Sequence, residues 1–560
     1  AGVRTLPEAL RLATGVHVAR LDSRTWAISA RGLNATTANK MLVLIDGRTV
    51  YTPLFSGVFW DVQNVLLEDV DRIEVIRGPG ATLWGSNAVN GVVNVVTRSA
   101  GETQGGLAVA AAGDEQEAFA ALRWGGELGR GHYRAYGMYD RRDGMAFADG
   151  RDANDDLWIG QAGFRSDLAL AEGQEVTLLG DVYRGTIGHA VRDDTDVDGG
   201  NLTGSWTRRL AGGGSLTLRG FYDHTFRRVP GQFEEDRHTW DVELQHDFEQ
   251  GRHHLVWGGG VRWSSDRVVN TPVIGWVPAS DDVWIANLFL QDEIELSPRW
   301  RLTAGVRIED QSVMDLEAQP SLRLAWEPWA RDMLWAGVAR AVRAPTRIDR
   351  AVRVPGEPPF AVVGNPDFEP EEVWAYEVGY RWTLGPRTLV DVAAFYNVYD
   401  ELRSQEPSPT GLPLVLGNRL QGHTRGVEVS AALDPTARLR LHGGVTWLHT
   451  DLQLEPGSGD PTGGRSEAND PDFHGFLRAD LELAHEVVIG AWLRQVAALP
   501  SPAVPSYTEL DLRLAWRPLD RLTLALVGRN LLHDRHPELG SPPVREEVER
   551  SVSGELTWAF

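Results

Sequence analysis

The sequence predicts an all-β transmembrane barrel of about 22 antiparallel strands, preceded by a small α+β domain at the N-terminus. After about residue 105, apolar and charged residues alternate along most of the 560-residue chain, as they do in strands with one face towards lipid and the other towards water. No run approaches the roughly 18 consecutive apolar residues of a membrane-spanning helix. A closed barrel needs no such run, because its lipid-facing residues are interleaved with polar ones.

The N-terminal domain is predicted to cover residues 1–98. Thr5 and Glu8 form a capping-box pattern that starts a short helix, and Gly15 supplies its stop. Short apolar segments typical of strands follow, at residues 16–21, 25–31, 41–46, 72–77 and 91–97. Such a mixture of helix and strand signals is typical of a small α+β domain.

The barrel is predicted to occupy residues 99–560. In its last segment one face carries Val552, Leu556, Trp558 and Phe560, and small or polar residues lie between them. About 21 residues are available for each strand with its connection, which suits strands of roughly 10 residues with short turns on one side and long loops on the other. The predicted long loops, rich in Asp, Gly, Pro and Asn, are residues 186–201, 265–283, 346–368, 402–418 and 452–472. An array of soluble β-sandwiches is the alternative, but the chain lacks Pro/Ser/Gly linkers between such domains.

The composition excludes several classes of function. The 55 basic residues are outnumbered by 78 acidic ones, and the resulting net charge of −23 argues against a duplex nucleic-acid binder. The absence of cysteine excludes disulfides, thiolate metal sites and Cys nucleophiles. The sequence also lacks the Gly-x-Ser-x-Gly, His-Glu-x-x-His and P-loop signatures, so we predict neither an enzyme with catalytic residues nor a required cofactor.

Four motifs follow one another in the N-terminal domain: Met41-Leu-Val-Leu-Ile-Asp-Gly47, Asp71-Arg-Ile-Glu-Val-Ile-Arg-Gly-Pro79, Leu83-Trp-Gly-Ser86 and Gly91-Val-Val-Asn-Val-Val-Thr97. In order and spacing they resemble the plug domain of TonB-dependent outer-membrane receptors. Weaker matches continue through the barrel to the terminal Phe560; they are residues 290–293, 340–345, 364–366, 369–371, 426–428 and 527–532. The resemblance therefore extends over essentially the whole chain.

The resemblance implies that residues 1–98 form a plug inside a 22-stranded barrel of residues 99–560. In this family a substrate binds plug apices and outer loops, and an inner-membrane complex containing TonB then pulls on an N-terminal TonB box. The sequence shows no such box, so we expect the box and the signal peptide to precede Ala1 in the full-length protein. The implied location is the bacterial outer membrane, where lipid and lipopolysaccharide surround a monomer.

The implied function is TonB-dependent uptake of a scarce metal chelate, with a ferric siderophore as the first choice. Aromatic and arginine-rich plug apices suit an anionic or catecholate chelate, because such ligands form stacking contacts and charge-assisted hydrogen bonds. A cobalamin receptor is the alternative within the family. A passive porin, in which the first 98 residues form an inward-folded constriction, is the alternative outside it.

Substrate-binding candidates lie at the predicted plug apices. Residues 48–60 hold four aromatic side chains, and exposing them together is costly unless they pack on the barrel wall or contact a ligand. A second apex is predicted in the turn after residues 25–31. The candidates are Arg31, Asn34, Arg48, Tyr51, Phe55, Phe59 and Trp60.

Charged pairs between plug and barrel are also expected, because a buried charge without a partner costs several kcal/mol. The plug candidates are Glu74, Arg77 and Arg98, and their expected partners are lumen residues such as Glu293, Arg340 and Glu428. These pairs are predicted to hold the plug in place.

A structural Ca²⁺ site is predicted in an outer loop, where Asp193, Asp194, Asp196 and Asp198 offer the oxygen ligands that calcium prefers. Their spacing is not that of an EF-hand loop. A solvated acidic loop is the alternative.

Overall fold

The protein is described by a computed structural model, which covers residues 2–35, 37–189, 192–329, 331–483 and 486–560. Within these ranges 22 long strands close into one antiparallel barrel, and the last strand pairs with the first. The fold class predicted from the alternation is therefore confirmed. None of the helices in the described ranges is long and apolar enough to cross a membrane.

The N-terminal domain combines an antiparallel hairpin, a mixed four-stranded sheet and short helices. Its helices and strands are α1 (Leu6–Leu10), β1 (Val16–Arg20), β2 (Trp26–Ala30), β3 (Met41–Ile45), β4 (Arg48–Thr49), β5 (Val70–Arg77), α2 (Ala81–Trp84) and β6 (Gly91–Thr97), with 3₁₀ turns at Trp60–Val62, Leu67–Asp69 and Ala100–Thr103. Strands β1 and β2 form the hairpin, and the sheet order is β4-β3-β6-β5 with β3 parallel to β6.

The α1 helix begins where the capping pattern predicts. Thr5 is the N-cap, and its Oγ1 accepts a hydrogen bond from the backbone N–H of Glu8 at 3.2 Å. Leu6 and Leu10 then point into the plug core, where they pack with apolar residues of the hairpin and the sheet. The capped helix thus closes one side of the small core that the short strands share.

The barrel begins at Gly105 and ends close to Phe560. Its elements are β7 (Gly105–Gly113), β8 (Ala118–Leu128), β9 (Gly131–Arg142), β10 (Ala146–Phe147), β11 (Leu157–Ala171), β12 (Gln174–Ile187), β13 (Thr195–Arg209), β14 (Ser215–Val229), β15 (Phe233–Gln250), β16 (His253–Val269), β17 (Gly275–Trp276), β18 (Ser280–Ser297), β19 (Trp300–Gln311), β20 (Met314–Trp326), β21 (Asp332–Arg343), α3 (Arg347–Ala351), β22 (Val352–Val354), β23 (Val362–Val363), β24 (Glu371–Thr383), β25 (Thr388–Pro407), β26 (Leu414–Thr436), β27 (Leu439–Leu454), β28 (Phe473–Glu482), β29 (Val487–Val496), β30 (Leu499–Pro500), β31 (Ala503–Val504), β32 (Tyr507–Leu519), β33 (Leu522–Arg529), β34 (Arg535–His536), β35 (Glu546–Glu549) and β36 (Ser551–Ala559). The two-, three- and four-residue strands among these lie in the connections between long strands, and three of them, β17, β22 and β23, extend the barrel wall.

Tryptophan side chains mark both ends of the lipid-facing wall. Trp240, Trp263 and Trp284 are cross-strand neighbours and are exposed near the end of the barrel that carries the longer connections. At the opposite end, Trp300 and Trp326 stack with ring centroids 5.3 Å apart. Such aromatic girdles are typical of the two membrane–water interfaces of outer-membrane barrels. We therefore call the end with the longer connections the outer end.

The N-terminal domain lies inside the barrel, because its charged residues contact the wall at widely separated strands. Arg4 lies 3.1 Å from Glu555 on β36, Arg48 lies 2.6 Å from Asp223 on β14, and the 3₁₀ turn after β6 leads into β7. We refer to this domain as the plug.

Candidate functional site

Lys40, the only lysine in the sequence, lies at the contact between the plug and the outer end of the barrel. Its side chain is 2% exposed. The Nζ donates a hydrogen bond to Glu371 Oε2 at 2.6 Å and lies 3.7 Å from Glu467 Oε2. A buried ammonium needs such partners, because an unpaired one costs several kcal/mol.

Three more residues extend this cluster. Arg343 donates to both oxygens of Glu371, at 2.7 and 2.9 Å, and to Asp349 at 2.7 Å. Arg403 lies 2.7 Å from Glu467 and 3.5 Å from Asp349. We call the set the Lys40 network; its members are Lys40, Arg343, Asp349, Glu371, Arg403 and Glu467. Its cations and carboxylates balance, which offsets the cost of burying them.

The Lys40 network joins the plug to the outer connections of the barrel. Asp349 lies in α3, within the connection 344–370, and accepts hydrogen bonds from Thr346, the N-cap of that helix. Burial opposes ionisation of Asp349, but the guanidinium groups of Arg343 and Arg403 outweigh it and hold the pKa of this carboxyl below its usual value. The connection 455–472 contributes Glu467.

Arg31, predicted to face a ligand at an apex, instead points into the barrel wall. Its guanidinium pairs with Glu377 and lies 3.4 Å from Glu428 Oε1, and the side chain is buried. The other carboxylate oxygen of Glu428 lies 2.9 Å from Arg77. Arg31 is thus a cationic partner for the carboxylates of the lumen wall, and its contact with a ligand stays a prediction.

Asn34 lies beneath the outer connection 455–472 and is also buried. Asp470 of that connection accepts hydrogen bonds from the backbone N–H groups of Leu33 at 2.8 Å and Asn34 at 3.0 Å. The Asn34 side chain contacts His17 Nδ1 at 2.9 Å. The predicted apex is thus covered by a loop in this closed arrangement.

The predicted pairing of plug and barrel charges holds for Arg77 and Glu428. It is wrong for Glu74, which accepts hydrogen bonds from Arg72 and Asn94 within the plug. It is also wrong for Glu293, which pairs with Arg301 across strands at 3.2 Å.

Arg340 and Arg98 are corrected in the same way. Arg340 lies 2.7 Å from Glu317 and 2.5 Å from Glu372, both on the barrel wall. Arg98 lies exposed where the plug leads into the barrel, and its carbonyl accepts a hydrogen bond from Arg134. These charges are balanced by near neighbours or by water, so they need no partner in the other domain.

The aromatic segment 48–60 folds back under the outer connections of the barrel. Trp60 is 8% exposed and packs in the plug core rather than at an exposed apex, and its contact with a ligand stays a prediction. Phe55 and Phe59 pack edge to face, with ring centroids 5.2 Å apart. Leu54, which directly precedes Phe55, packs against α3 and β22 of the connection 344–370.

Two adjoining cavities of about 40 and 60 Å³ separate this plug segment from the barrel wall. We call them the plug–wall cavities. Their arginines are Arg48 from the plug and Arg134, Arg165, Arg227, Arg237 and Arg262 from the wall, and their aromatic residues include Tyr51, Phe59, Tyr183 and Phe221. Cavities of this size hold water rather than a chelate.

The arginines of the plug–wall cavities already have partners. Arg48 lies 2.6 Å from Asp223, and Arg227 lies 2.7 Å from Asp61 of the plug. The guanidinium of Arg227 also stacks over the ring of Phe59 at 4.1 Å. A ligand that enters this region must therefore displace both the plug segment and these carboxylates.

A further cavity of about 310 Å³ lies between α2 of the plug and strands β18 to β21 and β24. Glu293 and Thr303, near the inner ends of their strands, belong to its lining. It therefore extends towards the inner half of the barrel.

The aspartates predicted to bind calcium are spread along the outer wall. Asp193 and Asp194 are exposed, Asp196 pairs with Arg228, and Asp198 lies further along β13. In the described ranges, three or more acidic or histidine ligand atoms come within 4.8 Å of one another in two other places, Asp400-Glu401-Glu455 and His224-Asp236-His238. Calcium binding at residues 193–198 stays a prediction.

Sequence reasoning missed the Lys40 network. One signal was available, because Lys40 is the single lysine beside 54 arginines. Arg343 and Glu371 also fall within two of the short barrel segments that carry the family resemblance. Their common role depends on contacts between residues far apart in the chain.

Comparison with known proteins decides the family. Residues 1–92 match the TonB-dependent Receptor Plug Domain, and residues 101–531 match the TonB dependent receptor-like beta-barrel. The chain belongs to the TonB-dependent receptors. It is thus a receptor and transporter of the bacterial outer membrane and not an enzyme, as the resemblance implied.

Relatives of this TonB-dependent receptor include an iron-regulated outer membrane virulence protein of Vibrio cholerae, 24% identical over 516 residues that cover 82% of this chain and 74% of that protein. The vitamin B12 transporter BtuB of Vibrio vulnificus is 23% identical over 424 residues, 71% of this chain and 65% of the relative. The crystal structure of the siderophore receptor PirA from Acinetobacter baumannii superposes with a TM-score of 0.80 at 16% identity, over 100% of this chain and 96% of that one.

We predict that Lys40→Met loosens the plug. The variant leaves Glu371 and Glu467 buried without the ammonium, and removing one partner of a buried pair costs about 3–5 kcal/mol. In planar bilayers, conductance should therefore appear at lower urea concentration than in the unchanged protein. The barrel itself should keep its heat-modifiable migration on gels.

The matched control is Arg72→Ala, which removes an exposed pair of the plug. Exposed pairs contribute about 0–1 kcal/mol, so this variant should open at the same urea concentration as the unchanged protein. Equal urea dependence of Lys40→Met and Arg72→Ala would contradict the role of Lys40.

We also predict that the contact between Asp470 and the plug depends on pH. Burial raises the pKa of Asp470 to about 6, although the N–H groups of Asn34 and Leu33 oppose the rise. In an open contact the carboxyl would titrate near the ordinary value of about 4. The closed contact therefore keeps a proton that the open one loses, and closure weakens as pH rises from about 4 to about 6.

Hydrogen exchange of the backbone N–H groups of Leu33 and Asn34 measures this closure. After correction for intrinsic rates, protection should be greater at pH 4 than at pH 7, and Asp470→Asn should remove the difference. A difference that persists unchanged in Asp470→Asn would show that another group is responsible.

Proposed function

We propose that this TonB-dependent receptor takes up a ferric siderophore across the outer membrane. The observation that carries the proposal is the lining of the plug–wall cavities, which contains both arginines and aromatic rings. Guanidinium groups and aromatic faces suit an anionic, aromatic chelate such as a ferric catecholate. The iron-regulated relative from Vibrio cholerae supports this choice.

The pairing of these arginines supplies a way to couple binding to plug movement. Arg227 belongs to the barrel and Asp61 to the plug, and they lie 2.7 Å apart. An anionic ligand that takes over the guanidinium of Arg227 releases Asp61, and with it the plug segment that holds Phe59. Binding would thereby replace a contact that keeps the plug closed.

We propose that TonB acts on the N-terminal side of α1, which three charged contacts hold to the barrel. Arg4 lies 3.1 Å from Glu555, and Glu8 lies 2.9 Å from Arg529. Arg11 donates to Glu538 at 2.8 Å. If α1 stays packed on the plug core through Leu6 and Leu10, a pull that separates these polar pairs from the barrel does not expose a large apolar surface.

We propose that the receptor acts as a monomer surrounded by lipid and lipopolysaccharide. The barrel closes through β36 and β7, so it offers no free strand edge for pairing with a second copy. Leucine, valine and tryptophan side chains cover its outer wall. Both features support a single barrel that needs no protein partner within the membrane.

Cobalamin is the second candidate substrate, because BtuB matches 71% of this chain. A corrinoid would form fewer charge-assisted hydrogen bonds with the arginines of the plug–wall cavities than an anionic chelate does. Binding measurements with both ligand classes separate the two candidates.

We predict that a ferric tris-catecholate chelate binds to the full chain in detergent micelles and that Arg227→Ala weakens the binding about tenfold or more. A hydrogen bond to a charged group contributes about 1.5–3 kcal/mol, and about 1.4 kcal/mol corresponds to a factor of ten. Isothermal calorimetry measures the dissociation constants, with cyanocobalamin titrated in parallel.

Arg209→Ala is the matched control, because Arg209 pairs with Glu175 on the exposed wall. This variant should bind the chelate as the unchanged protein does. Tight binding of cyanocobalamin alone would replace the siderophore proposal with the cobalamin one. Equal losses in Arg227→Ala and Arg209→Ala would remove the plug–wall cavities from the binding site.

A further inference from the structure

A pair of histidines lies on the outer wall of the barrel, away from the plug. His224 of β14 and His238 of β15 are direct cross-strand partners, and their rings stack with centroids 4.7 Å apart. Asp236 lies two residues from His238 on the same face of β15. Its Oδ1 is 2.9 Å from His224 Nε2 and 3.6 Å from His238 Nε2. Three ligand atoms thus converge on one small region.

The exposed tryptophans near the outer end, Trp240, Trp263 and Trp284, place this cluster at the outer surface of the membrane. Tyr222 packs on Trp240 with ring centroids 4.3 Å apart. His224 and His238 form the next cross-strand pair on the same face, two residues nearer the outer end on each strand. All three ligand side chains are partly exposed, between 30% and 48%. The cluster is therefore open to water and ions outside the hydrocarbon core.

We propose that His224, Asp236 and His238 bind a divalent transition-metal ion such as Zn²⁺. The three ligand atoms all lie within 4.8 Å of one another. Tetrahedral zinc with bonds of about 2.0–2.1 Å places its ligand atoms roughly 3.3 Å apart, so small side-chain rotations close the site. Imidazole ligands favour zinc, copper, nickel or cobalt over calcium and magnesium.

Tyr222 supplies a second feature of a metal site. Its hydroxyl lies 2.8 Å from Nδ1 of His238. A hydrogen bond from Nδ1–H to this oxygen leaves the lone pair on Nε2, the atom that faces Asp236. Metal-binding histidines are regularly oriented by such a partner on the other ring nitrogen.

The two strands supply a rigid scaffold. Each ligand lies within the paired parts of β14 and β15, so the backbone positions are fixed by the barrel ladder. An ion held here joins the two strands just before the connection 230–232. The barrel should gain thermal stability in proportion to the occupancy of the site.

Titration with Co²⁺ tests the proposal, because tetrahedral Co²⁺ absorbs strongly in visible light. The sample is the full chain in detergent micelles, free of any histidine tag. We expect one saturable equivalent, displaced by Zn²⁺ and not by Ca²⁺. His224→Ala and His238→Ala should each weaken binding at least tenfold, and Tyr222→Phe should weaken it less.

His253→Ala is the matched control, because His253 forms an exposed pair with Asp292 at 2.7 Å that belongs to neither three-ligand group in the described ranges. Its Co²⁺ binding should equal that of the unchanged protein. Zn²⁺ should raise the melting temperature of the unchanged protein and not that of His224→Ala. Absence of a saturable Co²⁺ band, or equal binding by His224→Ala, His238→Ala and His253→Ala, would overturn the proposal.

Discussion

A neutral cluster of buried charges holds the plug to the outer end of the barrel. Lys40 contributes the plug's charge, and the remaining members of the Lys40 network come from the barrel wall and from the connections 344–370 and 455–472. Because removing one charge leaves others buried without a partner, the members depend on one another. The closed plug and the folded outer connections therefore form one structural unit.

Charged contacts suit a domain that must both seal a lumen and move within it. Pairs such as Arg48–Asp223, Arg77–Glu428 and Arg227–Asp61 hold the plug against a wall that carries arginines and carboxylates. Water can replace either partner when the pair separates, and an anionic ligand can replace the carboxylate. An apolar contact of the same size would instead expose its surface to water when the plug moves.

The strands that depend on a local pattern of apolar residues could be predicted from the sequence. Alternation placed the last strand where β36 lies, and the apolar run from Met41 to Ile45 is β3. The Pro-rich segment 402–418 was predicted as a loop, but its first and last parts continue β25 and β26, which pair with each other there. Composition alone cannot show such an extension, because cross-strand pairing is not a property of one segment.

The site was harder to predict, because it depends on partners far apart in the chain. Arg31 and Glu377 are separated by 346 residues, and Lys40 and Glu371 by 331. Trp60 follows aromatic residues that line a cavity, yet the 3₁₀ turn at Trp60–Val62 directs it into the plug core. Residue type indicates which side chains need partners, but only the folded structure shows which partner each side chain has.

Chemical labelling of Lys40 tests the central claim most directly. As the only lysine, it is the one side chain of the chain that an amine-reactive reagent modifies at an ammonium group. Mass spectrometry of the peptide that contains Lys40 should show protection in the folded protein and rapid labelling in urea that releases the plug. Labelling of the folded protein at the rate of a free lysine would contradict a plug held by a buried Lys40 network.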